Sequence, residues 1–427
     1  MKILFFLILI YSAIFANINL IKKQNNDSNT TLLVIGGIHG DEPGGYFAAS
    51  ILATNYNITS KNLWIVPNLN KDSVQRNSRG LRGDMNRKFA SSKKNDKDTQ
   101  TVQEIKKVIL NKSISLVLNL HDGHGFYRTK NQGRIFNPNA WGQTCVIDQC
   151  KLKQDQEFGN LNDIALKVKK SMNKKLIKNH HSFNVRNTNT KFDDEEMQLS
   201  LTYFAVTNNK PAFAIESSKN LTSLSQKVFY QLMAIEEFMK IMGIKYTRDF
   251  KLNAKNISNI IKNYGKLEIN HTILLNLSDI RKNLSYFPLK SKKNVFKFTH
   301  PLGTVRKLSD KYIVYIGNKV VTSLYPQYFI YAKNCSTTNM YEINGVRKSL
   351  NITSTFVVND DFKIIPNNSK RVNVIGFRPN GSKKESGIKI AYKSMNKKFS
   401  IDKDRKIFRI EFYKNNKFCS MQMVQFK

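Results

Sequence analysis

Between residues 30 and 245, apolar runs of strand length alternate with segments of helical period. This alternation restricts the fold more than any other feature, because it is typical of an α/β domain with a mixed, mainly parallel sheet flanked by helices. In such sheets, ligands bind at the carboxyl ends of the strands. We therefore predict one such domain over residues 20–250. Its predicted strands are 32–37, 63–66, 116–120 and 212–215, and its predicted helices are 99–112, 161–175 and 224–242.

After about residue 250, short runs rich in Val, Ile, Tyr and Phe recur with turn residues between them. These runs predict an all-β region. Its length of about 175 residues suits two small sandwich-like domains better than one. We place these domains at 251–339 and 340–427, the second immunoglobulin-like, with the boundary near Asn339. The predicted strands are 312–316, 327–332, 363–365, 372–377 and 407–412.

The N-terminus has Lys2 and then an apolar stretch that ends near Ala16, followed by the polar residues Asn17 and Asn19. A basic residue before a short apolar stretch is the pattern of a signal peptide, which we assign to residues 1–16. The stretch is shorter than the roughly 20 apolar residues of a spanning helix, and no later segment reaches that length. We therefore predict an exported, periplasmic protein with no transmembrane span after cleavage. An uncleaved anchor helix is the alternative.

The four cysteines divide by position into two pairs, Cys145 with Cys150 and Cys335 with Cys419. In an exported chain, both pairs are candidates for disulfides. The spacing of the first pair also occurs in metal sites, but no second such pair or nearby histidine completes one. For the first pair, a small loop bridge and two free thiols are the alternatives.

The chain carries 69 Lys and Arg against 31 Asp and Glu, a net charge of +38. The excess is largest after residue 250, where 34 basic and 10 acidic side chains give +24. A field of this size attracts polyanions. Nucleic acid is not the expected partner, because the chain lacks the basic and aromatic signature of a nucleic-acid module. An anionic cell-wall polymer or membrane surface fits better, and a general Lys- and Asn-rich bias is the alternative.

Two of the predicted strands end in histidines that can bind a metal. His39 and Glu42 lie three residues apart in the sequence GGIHGDEPGG, residues 36–45, directly after the first strand. The flanking glycines allow both side chains to converge on one ion, as a His₂Glu zinc site requires. A second strand ends in His121, which we expect at the same sheet edge. His124 lies beyond a glycine on the loop, so we expect it to be exposed or to face a substrate.

A third predicted strand ends in Glu216. A carboxylate at the end of an apolar strand is costly unless it is solvated at a site. At the same sheet edge it can take a proton from zinc-bound water and pass it to a leaving amine. Capping of a neighbouring loop is the alternative role. Between the two histidine strands lies the sequence RNSRGLRGDMNR, residues 76–87, whose arginines can grip a carboxylate and polarise a carbonyl.

The ordered motifs HGDE, RGLRGDMNR, NLHDG and AIE span about half of the chain. Together they resemble the carboxypeptidase A-like zinc peptidase superfamily, also called funnelins. Within it, the chain is most similar to the cell-shape-determining peptidoglycan DL-carboxypeptidases of helical bacteria, which carry two β domains behind the catalytic domain. The resemblance implies a zinc carboxypeptidase-like fold, one Zn²⁺ ion per chain and peptidoglycan stem peptides as substrates.

Matched by motif position, the resemblance implies that His39, Glu42 and His121 are the three zinc ligands. It also implies that Glu216 is the catalytic base and that Arg79 polarises the substrate carbonyl. Some members of the group carry Gln in place of the first histidine, whereas this chain has His39. Ordinary zinc affinity is therefore expected.

The resemblance further implies that Asn86 and Arg87 hold the terminal carboxylate of the substrate. We place Trp141 at the rim of the cleft, together with the substrate-facing His124. The transition-state tyrosine of the superfamily has no clear counterpart. The candidates for it are Tyr127 and Tyr203.

The function implied by this resemblance is hydrolysis of L-Ala-γ-D-Glu-meso-diaminopimelate to a dipeptide. The resemblance also implies that this trimming controls cell shape. An N-acyl amino acid deacylase of the aspartoacylase type is one alternative, but the export signal and the long C-terminal region disfavour it. A non-catalytic wall-binding protein is the other. The complete set of metal ligands, arginines and Glu216 disfavours that reading.

Overall fold

The computed structural model of the protein describes residues 18–24, 28–91, 95–367, 369–379 and 384–427. The predicted signal peptide, residues 1–16, lies outside these described residues. The chain divides into two units, residues 1–254 and 255–427. In the part of the chain that is described, no helix has the length and apolarity required to cross a membrane.

The first unit combines a sheet with flanking helices. Its strands are β1 Ile21–Lys23, β2 Thr31–Ile35, β3 Tyr56–Ile58, β4 Asn62–Val66, β5 Ile114–Gly123, β6 Phe126–Tyr127, β7 Phe136–Asn137, β8 Thr144–Ile147, β9 Asn184–Asn187, β10 Ala212–Ser218 and β11 Tyr246–Arg248. Its helices are α1 Pro43–Asn55, α2 Lys71–Gln75, α3 Thr99–Ile109, α4 Leu161–Met172, α5 Thr190–Asp193, α6 Leu201–Thr207 and α7 Leu224–Ile241.

The main sheet of the first unit has the strand order β1-β4-β2-β5-β10-β8-β9. The neighbours from β4 to β10 run parallel, whereas β1 on β4 and β8 on β10 are antiparallel. The predicted mixed, mainly parallel sheet is therefore confirmed. Strands β2, β4, β5 and β10 are buried along almost their whole length. Burial on both faces explains why they form continuous apolar runs in the sequence.

Helix α7 packs on this sheet through the apolar face that its sequence predicts. It contacts β5 and β10 as well as α1 and α4. The helix begins after Ser223, whose hydroxyl accepts a hydrogen bond from the Gln226 amide at 3.2 Å and so caps the helix. The residues of the predicted apolar face, all buried, are Val228, Leu232, Ile235 and Met239.

Helices α3 and α4 both end three residues earlier than predicted, at Ile109 and Met172. After α3, the Oδ1 atom of Asn111 accepts hydrogen bonds from the amide and the hydroxyl of Ser113. Such local side-chain bonds compete with the helix for the backbone. The turn that results leads directly into β5.

In its described residues, the second unit is all-β apart from α8 Ala254–Lys262 and short 3₁₀ turns, which confirms the predicted class. It forms three sheets of order β15-β12-β13-β26-β25-β23, β14-β18-β17-β16 and β20-β19-β22-β24, and β21 also pairs with β26. The strands are β12 Lys266–Ile269, β13 Ile273–Asn276, β14 Asn283–Leu289, β15 Phe296–Phe298, β16 Gly303–Lys307, β17 Tyr312–Ile316, β18 Lys319–Tyr328, β19 Thr338–Ile343, β20 Val346–Asn351, β21 Thr355–Val358, β22 Asp361–Ile364, β23 Arg371–Val374, β24 Lys389–Ala391, β25 Ile407–Lys414 and β26 Lys417–Phe426.

The largest sheet of the second unit takes strands from both sides of Asn339. Strand β13 pairs in parallel with the C-terminal strand β26 at Ile273 and Met421. Residues before and after Asn339 therefore share one sheet. The division of this unit into two domains at that position stays a prediction.

The strand predicted at 327–332 is shorter in the structure, where β18 ends at Tyr328. Beyond it, the Phe329 amide donates to the carbonyl of Leu289, and the Ala332 amide donates to the carbonyl of Phe418. Leu289 belongs to β14 and Phe418 to β26, which lie in different sheets. The segment changes partner sheet within a few residues and so does not continue as one strand.

A disulfide joins Cys335 to Cys419 in the second unit, so that of the two candidate pairs this one is bonded. The two cysteines are 84 residues apart in the chain. Cys145 is a buried free thiol and Cys150 an exposed one. Of the alternatives left open for that pair, the structure has two free thiols. Burial raises the pKa of Cys145, which makes it a poor nucleophile.

Removal of this disulfide by Cys335→Ala with Cys419→Ala is expected to lower the free energy of unfolding of the second unit by about 4 kcal/mol, because a cross-link across a long loop restricts the unfolded chain. Thermal unfolding followed by circular dichroism measures the change. The control is Cys150→Ala, which removes an exposed free thiol and should leave the midpoint unchanged. Equal midpoints for the double variant and the wild type would contradict the prediction.

Candidate active site

Four of the residues predicted at the sheet edge lie together in the structure. Strands β5 and β10 pair in parallel, so that His121 lies beside Glu216 near their carboxyl ends. His39 and Glu42 lie on the turn between β2 and α1, and β2 is the neighbour of β5 on the side away from β10. All four side chains are buried. Three adjacent strand ends therefore build one site.

The side chains of His39, Glu42 and His121 form a cluster whose ligand atoms all lie within 4.8 Å of one another. The Nδ1 atoms of the two histidines are 3.2 Å apart. One carboxylate oxygen of Glu42 lies 2.9 Å from Nδ1 of His39, and the other lies 2.8 Å from Nδ1 of His121. Two imidazoles and one carboxylate are a donor set of catalytic metal sites, which keep a further position open for water or substrate.

The charges around this cluster also favour a cation. Burial lowers the pKa of His39, but the carboxylates of Glu42 and Asp84 outweigh this effect and raise the pKa to about 9. Burial raises the pKa of Glu42, yet the histidines beside it hold this pKa well below its ordinary value. The cluster thus keeps an ionised carboxylate and attracts positive charge. Donor type and charge both fit a divalent metal ion.

The turn that carries His39 and Glu42 and the start of α1 that follows it each depend on one glycine. Gly37 has a φ of 73°, a left-handed conformation that glycine adopts without steric cost. At Gly44, an added Cβ atom would lie 2.2 Å from Oδ1 of Asp122. The Gly44 amide donates to Oδ2 of Asp122 at 2.8 Å. This bond holds the start of α1 against the end of β5 and so fixes the ligands of the two elements relative to each other.

Asp84 belongs to this site, although the sequence analysis did not single it out. Its Oδ1 atom lies 2.7 Å from Nε2 of His39. Its Oδ2 atom accepts hydrogen bonds from Nε and Nη2 of Arg79 at 3.0 and 2.9 Å. A carboxylate bonded to the second nitrogen of a ligating histidine fixes the orientation and tautomer of the ring. Asp84 lies within the arginine-rich motif, but the roles predicted for that motif were given only to Arg79, Asn86 and Arg87.

The variant Asp84→Asn is expected to weaken metal binding about 10- to 100-fold, because the neutral amide gives His39 less support than the carboxylate does. Competition against a chromophoric chelator measures the affinity. The control is Asp72→Asn, since Asp72 is an exposed carboxylate that pairs with Arg82. If both variants bound metal as tightly as the wild type, Asp84 would have no role in supporting the ligand.

Glu216 lies on β10 and is 9% exposed. Burial, and then the charge of Glu42, raises its pKa well above the ordinary value. A buried carboxyl group with a raised pKa beside a metal cluster suits proton transfer near neutral pH. Its assignment as the catalytic base stays a prediction that this environment supports.

The arginine-rich loop supplies three further groups. Nη1 of Arg79 lies 3.2 Å from Oε1 of Glu42, and the Arg79 side chain is 49% exposed. Asn86 and Arg87 lie on a short 3₁₀ turn. Oδ1 of Asn86 accepts a hydrogen bond from the Leu201 amide at 3.0 Å, which fixes this side chain and leaves Nδ2 as its donor toward a substrate.

A cavity of about 340 Å³ connects these groups. His124 at its edge is exposed, and Trp141 is half-buried with the Arg186 guanidinium 3.8 Å from its ring centroid. The structure brings all of the predicted site residues to this one cavity. They are His39, Glu42, Arg79, Asn86, Arg87, His121, His124, Trp141 and Glu216.

Neither tyrosine candidate lies at the cavity. Tyr127 is on β6 and Tyr203 is on α6, and no tyrosine occurs among the described residues that line the cavity. The suggestion that one of them faces the reacting bond is therefore not supported.

The cavity is also lined by residues that the sequence did not indicate as part of the site, although Asn119 is visible in the sequence as a polar residue within an apolar run. These residues include Asn119, Val146, Asp194, Glu196, Met197, Thr202, Ala214 and Lys219.

Comparison with known families identifies the relatives of this chain. A family model described as "Carboxypeptidase controlling helical cell shape catalytic" matches residues 1–262. A second model, described as "C-terminal domain of metallo-carboxypeptidase", matches residues 332–427. The chain belongs to this carboxypeptidase family. As a member of the helical-cell-shape carboxypeptidase family, it is a metallo-carboxypeptidase, and the His–Glu–His cluster is its metal-binding candidate.

Solved structures of the cell shape determinant protein Csd4 from Helicobacter pylori match nearly the whole chain. The apo form has 35% identity and a TM-score of 0.91, over 96% of this chain and 100% of that one. The mDAP-bound form, described as a D,L-carboxypeptidase, has 36% identity and a TM-score of 0.91, over 95% and 100% of the two chains. The tripeptide-bound form has 36% identity and a TM-score of 0.91, over 96% and 100%. Among curated protein sequences, none matches the chain.

Proposed function

We propose that the chain is a zinc-dependent peptidoglycan DL-carboxypeptidase that trims the stem tripeptide L-Ala-γ-D-Glu-meso-diaminopimelate to the dipeptide and so controls cell shape. The observation that carries the proposal is one cavity that combines the His–Glu–His cluster with Glu216 and the arginine-rich loop. The similarity to Helicobacter pylori Csd4, a D,L-carboxypeptidase solved with mDAP and with a tripeptide, supports the choice of substrate.

The proposed ligands of one Zn²⁺ ion are His39, Glu42 and His121. The choice of zinc follows from the two imidazoles and one carboxylate, which zinc hydrolases use with a water at the open position. A bound Zn²⁺ ion supplies a water with a pKa lowered to about 7 and a Lewis acid for the scissile carbonyl. Asp84 holds the His39 ring through Nε2 and so keeps Nδ1 directed at the cluster.

Glu216 and Arg79 provide the protein groups for the chemical step. Glu216 accepts the proton of the attacking water, and its raised pKa lets it hold that proton until the peptide C–N bond breaks. It then donates the proton to the departing amine nitrogen. Arg79 lies at the edge of the cluster with half of its side chain exposed. Its guanidinium donates to the carbonyl oxygen as negative charge develops there.

Asn86 and Arg87 make the enzyme an exopeptidase. A guanidinium and an amide donor at one wall of the cavity recognise the free carboxylate of the last residue. That contact places the preceding peptide bond over the metal cluster and Glu216. A peptide without a free carboxylate at this position would leave the Arg87 guanidinium only the exposed carboxylate of Glu196, 3.9 Å away, as a charged partner. It is therefore expected to bind poorly.

Digestion of purified sacculi tests this function. After incubation with the zinc-loaded protein, we expect tripeptide muropeptides to fall and dipeptide muropeptides to rise in equal amount, with free diaminopimelate released. Chromatography of the muramidase-digested wall measures all three species. The control is His121→Ala, which removes one metal ligand. An unchanged muropeptide profile with zinc-loaded wild-type protein would contradict the proposal, and so would an equal conversion by the control.

We further propose that the enzyme works in the periplasm after removal of residues 1–16. The substrate lies outside the cytoplasmic membrane, and the signal-peptide pattern at the N-terminus provides the route. Cell fractionation with N-terminal sequencing of the purified protein tests this point. A cytoplasmic protein that retains Met1 would contradict it.

The second unit is proposed to attach the enzyme to an anionic wall polymer, on the basis of the excess of 24 positive charges over residues 251–427. Attraction of this kind is screened by salt, because the Debye length falls from about 10 Å at 0.1 M to about 3 Å at 1 M. Co-sedimentation of the full chain with sacculi is therefore expected to decrease as salt increases. Binding that is insensitive to salt would exclude a charge-based attachment.

A further inference from the structure

The first unit has a further cavity, here named the side cavity, whose residues take no part in the proposed chemistry. Its volume of about 570 Å³ is in the range of small-molecule sites. It is formed by the loop that follows β5 and by the segment that leads into β9. The lining includes Arg128, Gln132, Phe136, Asn179, His180 and Asn184.

One transverse row of the main sheet runs from the active site to the side cavity. His121 of β5 pairs with Glu216 of β10. Glu216 pairs in turn with Thr144 of β8, and Thr144 pairs with Asn184 of β9. His121 and Glu216 line the active-site cavity, and Asn184 lines the side cavity. Because neighbouring strands are about 4.8 Å apart, Asn184 is roughly 10 Å from Glu216 along this row.

The loop between β5 and β8 forms a rim that both cavities share. At its two ends, His124 and Trp141 line the active-site cavity, and the Trp141 amide donates to the carbonyl of His124 at 3.0 Å. Between these ends, Arg128 and Phe136 line the side cavity. Nη1 of Arg186 in β9 donates to two carbonyls of this loop at 2.9 and 3.2 Å. The rim is thus fixed to β9, and a ligand that crosses it can reach both cavities.

Arg128 is a nearly buried cation of the side cavity. It is 9% exposed, and no carboxylate of the described residues lies close enough to pair with it. Its Nη1 donates to the carbonyls of Tyr127 and Ser182 at 2.8 and 3.3 Å, and its Nη2 donates to the carbonyl of His180 at 2.7 Å. These three bonds leave two of the five N–H groups of a guanidinium for a ligand. Because a buried charge without such partners is costly, the cavity favours a ligand with an acceptor oxygen.

The other polar groups of the side cavity are neutral. Nδ2 of Asn184 donates to the carbonyl of Tyr127 at 3.0 Å, which fixes this side chain and leaves Oδ1 as its acceptor toward a ligand. Gln132 and Asn179 add two exposed amides. No carboxylate occurs among the described residues that line the cavity, and Arg128 is the only Lys or Arg there. Neutral donors and acceptors around a single cation suit an uncharged polar ligand better than a polyanion.

A stack of rings supplies apolar surface beside these groups. The half-buried Phe136 stacks on the buried Phe126 with ring centroids 5.0 Å apart, and Phe126 stacks on His181 at 5.6 Å. The exposed ring of His180 meets Phe136 edge-on at 6.0 Å. Such a stack is rigid and presents an apolar surface that needs no rearrangement to bind. A sugar ring offers the matching chemistry, because its hydroxyl groups are polar and its C–H faces are apolar.

We propose that the side cavity binds the N-acetylated sugar to which the stem peptide is attached in the wall. The acetamido oxygen of the sugar accepts from Arg128, a hydroxyl or the acetamido N–H donates to Oδ1 of Asn184, and the C–H face packs on Phe136 and His180. This inference rests on the proposed function, because it takes the scissile bond to lie at Glu216 and the metal cluster.

The length of the stem agrees with the distance between the two sites. In the wall, γ-D-Glu and L-Ala separate the scissile bond from the sugar. An extended residue spans about 3.5 Å and the γ-linkage adds two carbon atoms, so this part of the stem is roughly 9 Å long. The row from Glu216 to Asn184 spans roughly 10 Å. In the strand order, β9 and the strand β4 that precedes the loop of Asn86 and Arg87 lie on opposite sides of β10, as the two ends of the substrate require.

The kinetic test compares two substrates that differ only in the sugar, N-acetylmuramyl-L-Ala-γ-D-Glu-meso-diaminopimelate and the free tripeptide. With the zinc-loaded full chain, kcat/KM is expected to be about 10-fold higher for the first. In Asn184→Leu, and in the double variant Gln132→Ala with Asn179→Ala, this ratio is expected to fall close to 1. The double variant changes only exposed side chains. The control is Gln103→Ala, which removes an exposed amide of α3 that lines neither cavity and should keep the ratio of the wild type.

Calorimetry tests the site without hydrolysis. N-Acetylmuramyl-L-Ala-γ-D-Glu is expected to bind the zinc-loaded wild type about 10-fold more tightly than the dipeptide L-Ala-γ-D-Glu. The double variant should bind both with the affinity of the dipeptide. Inorganic polyphosphate is the probe for an anionic polymer. If the variants lost affinity for polyphosphate and retained it for the muramyl dipeptide, the cavity would serve an anionic polymer and the inference would be overturned.

The remaining outcomes separate the sugar site from the function on which it rests. Equal kcat/KM for the two substrates in the wild type would overturn the inference and leave the carboxypeptidase function intact. A ratio unchanged in both Asn184→Leu and the double variant would do the same. If the wild type cleaved neither substrate, the proposed function would fail. Tighter binding of the muramyl dipeptide that the double variant abolished would then still support the sugar site, and equal binding of the two dipeptides would overturn it.

Discussion

Replacement of Glu216 by Gln is expected to lower kcat for the stem tripeptide by about 1,000-fold and to change KM little. Gln has nearly the same shape but cannot accept a proton, and proton transfer by a positioned side chain typically contributes 100- to 10,000-fold to the rate. Glu216 is outside the His–Glu–His cluster, so the variant should bind one equivalent of metal as the wild type does. Steady-state kinetics with the tripeptide, combined with metal analysis of the same preparation, measures both quantities.

The control for this variant is Glu237→Gln on helix α7, since Glu237 is not among the residues that line the cavity. Its kcat is expected to equal that of the wild type. If Glu216→Gln retained more than a tenth of the wild-type kcat with full metal content, another group would be the base. A loss of both metal and activity would instead show that Glu216 supports the cluster.

The sequence predicted the position of the site because the site follows from sheet topology. His39, His121 and Glu216 each lie at or just after a strand of an apolar run, and the carboxyl ends of parallel strands meet at one edge. The parallel pairing of β5 with β10 is what turns two separate motifs into neighbours. A pattern of runs and motifs is therefore sufficient to locate the metal cluster, without any knowledge of side-chain conformation.

The residues that support the site could not be predicted in the same way. Asp84 supports His39 through a hydrogen bond across 45 positions of the chain, and no periodicity encodes such a contact. Asn119 was visible as a polar residue in an apolar strand, but its significance depends on which atoms surround it. In the second unit, the pairing of β13 with β26 joins strands that are distant in sequence. Local composition predicts that both are strands and not that they are neighbours.

Removal of the metal is expected to abolish hydrolysis and to lower the thermal midpoint of the first unit by about 10 °C. An ion that binds the folded chain stabilises it by about 4 kcal/mol when present at 1,000 times its Kd, and 1 kcal/mol corresponds to about 2–4 °C for a domain of this size. Dialysis against a chelator gives the metal-free protein, and stoichiometric Zn²⁺ should restore both the midpoint and the activity. Scanning calorimetry of the two forms measures the shift.

Variants of the three histidines around the cavity then identify the ligands. His121→Ala is expected to show no metal-dependent shift, because two remaining donors bind the ion weakly. His39→Gln is expected to show a smaller shift than the wild type, because an amide oxygen is a poorer metal ligand than an imidazole. The variant also loses the hydrogen bond between the His39 ring and the Asp84 carboxylate. His124→Ala is the matched control: it also removes an imidazole from the cavity, but His124 is exposed and outside the cluster, so the full shift should remain. If His124→Ala lost the shift and His121→Ala kept it, the third ligand would be His124 and the geometry of the cluster would not describe the metal-bound enzyme.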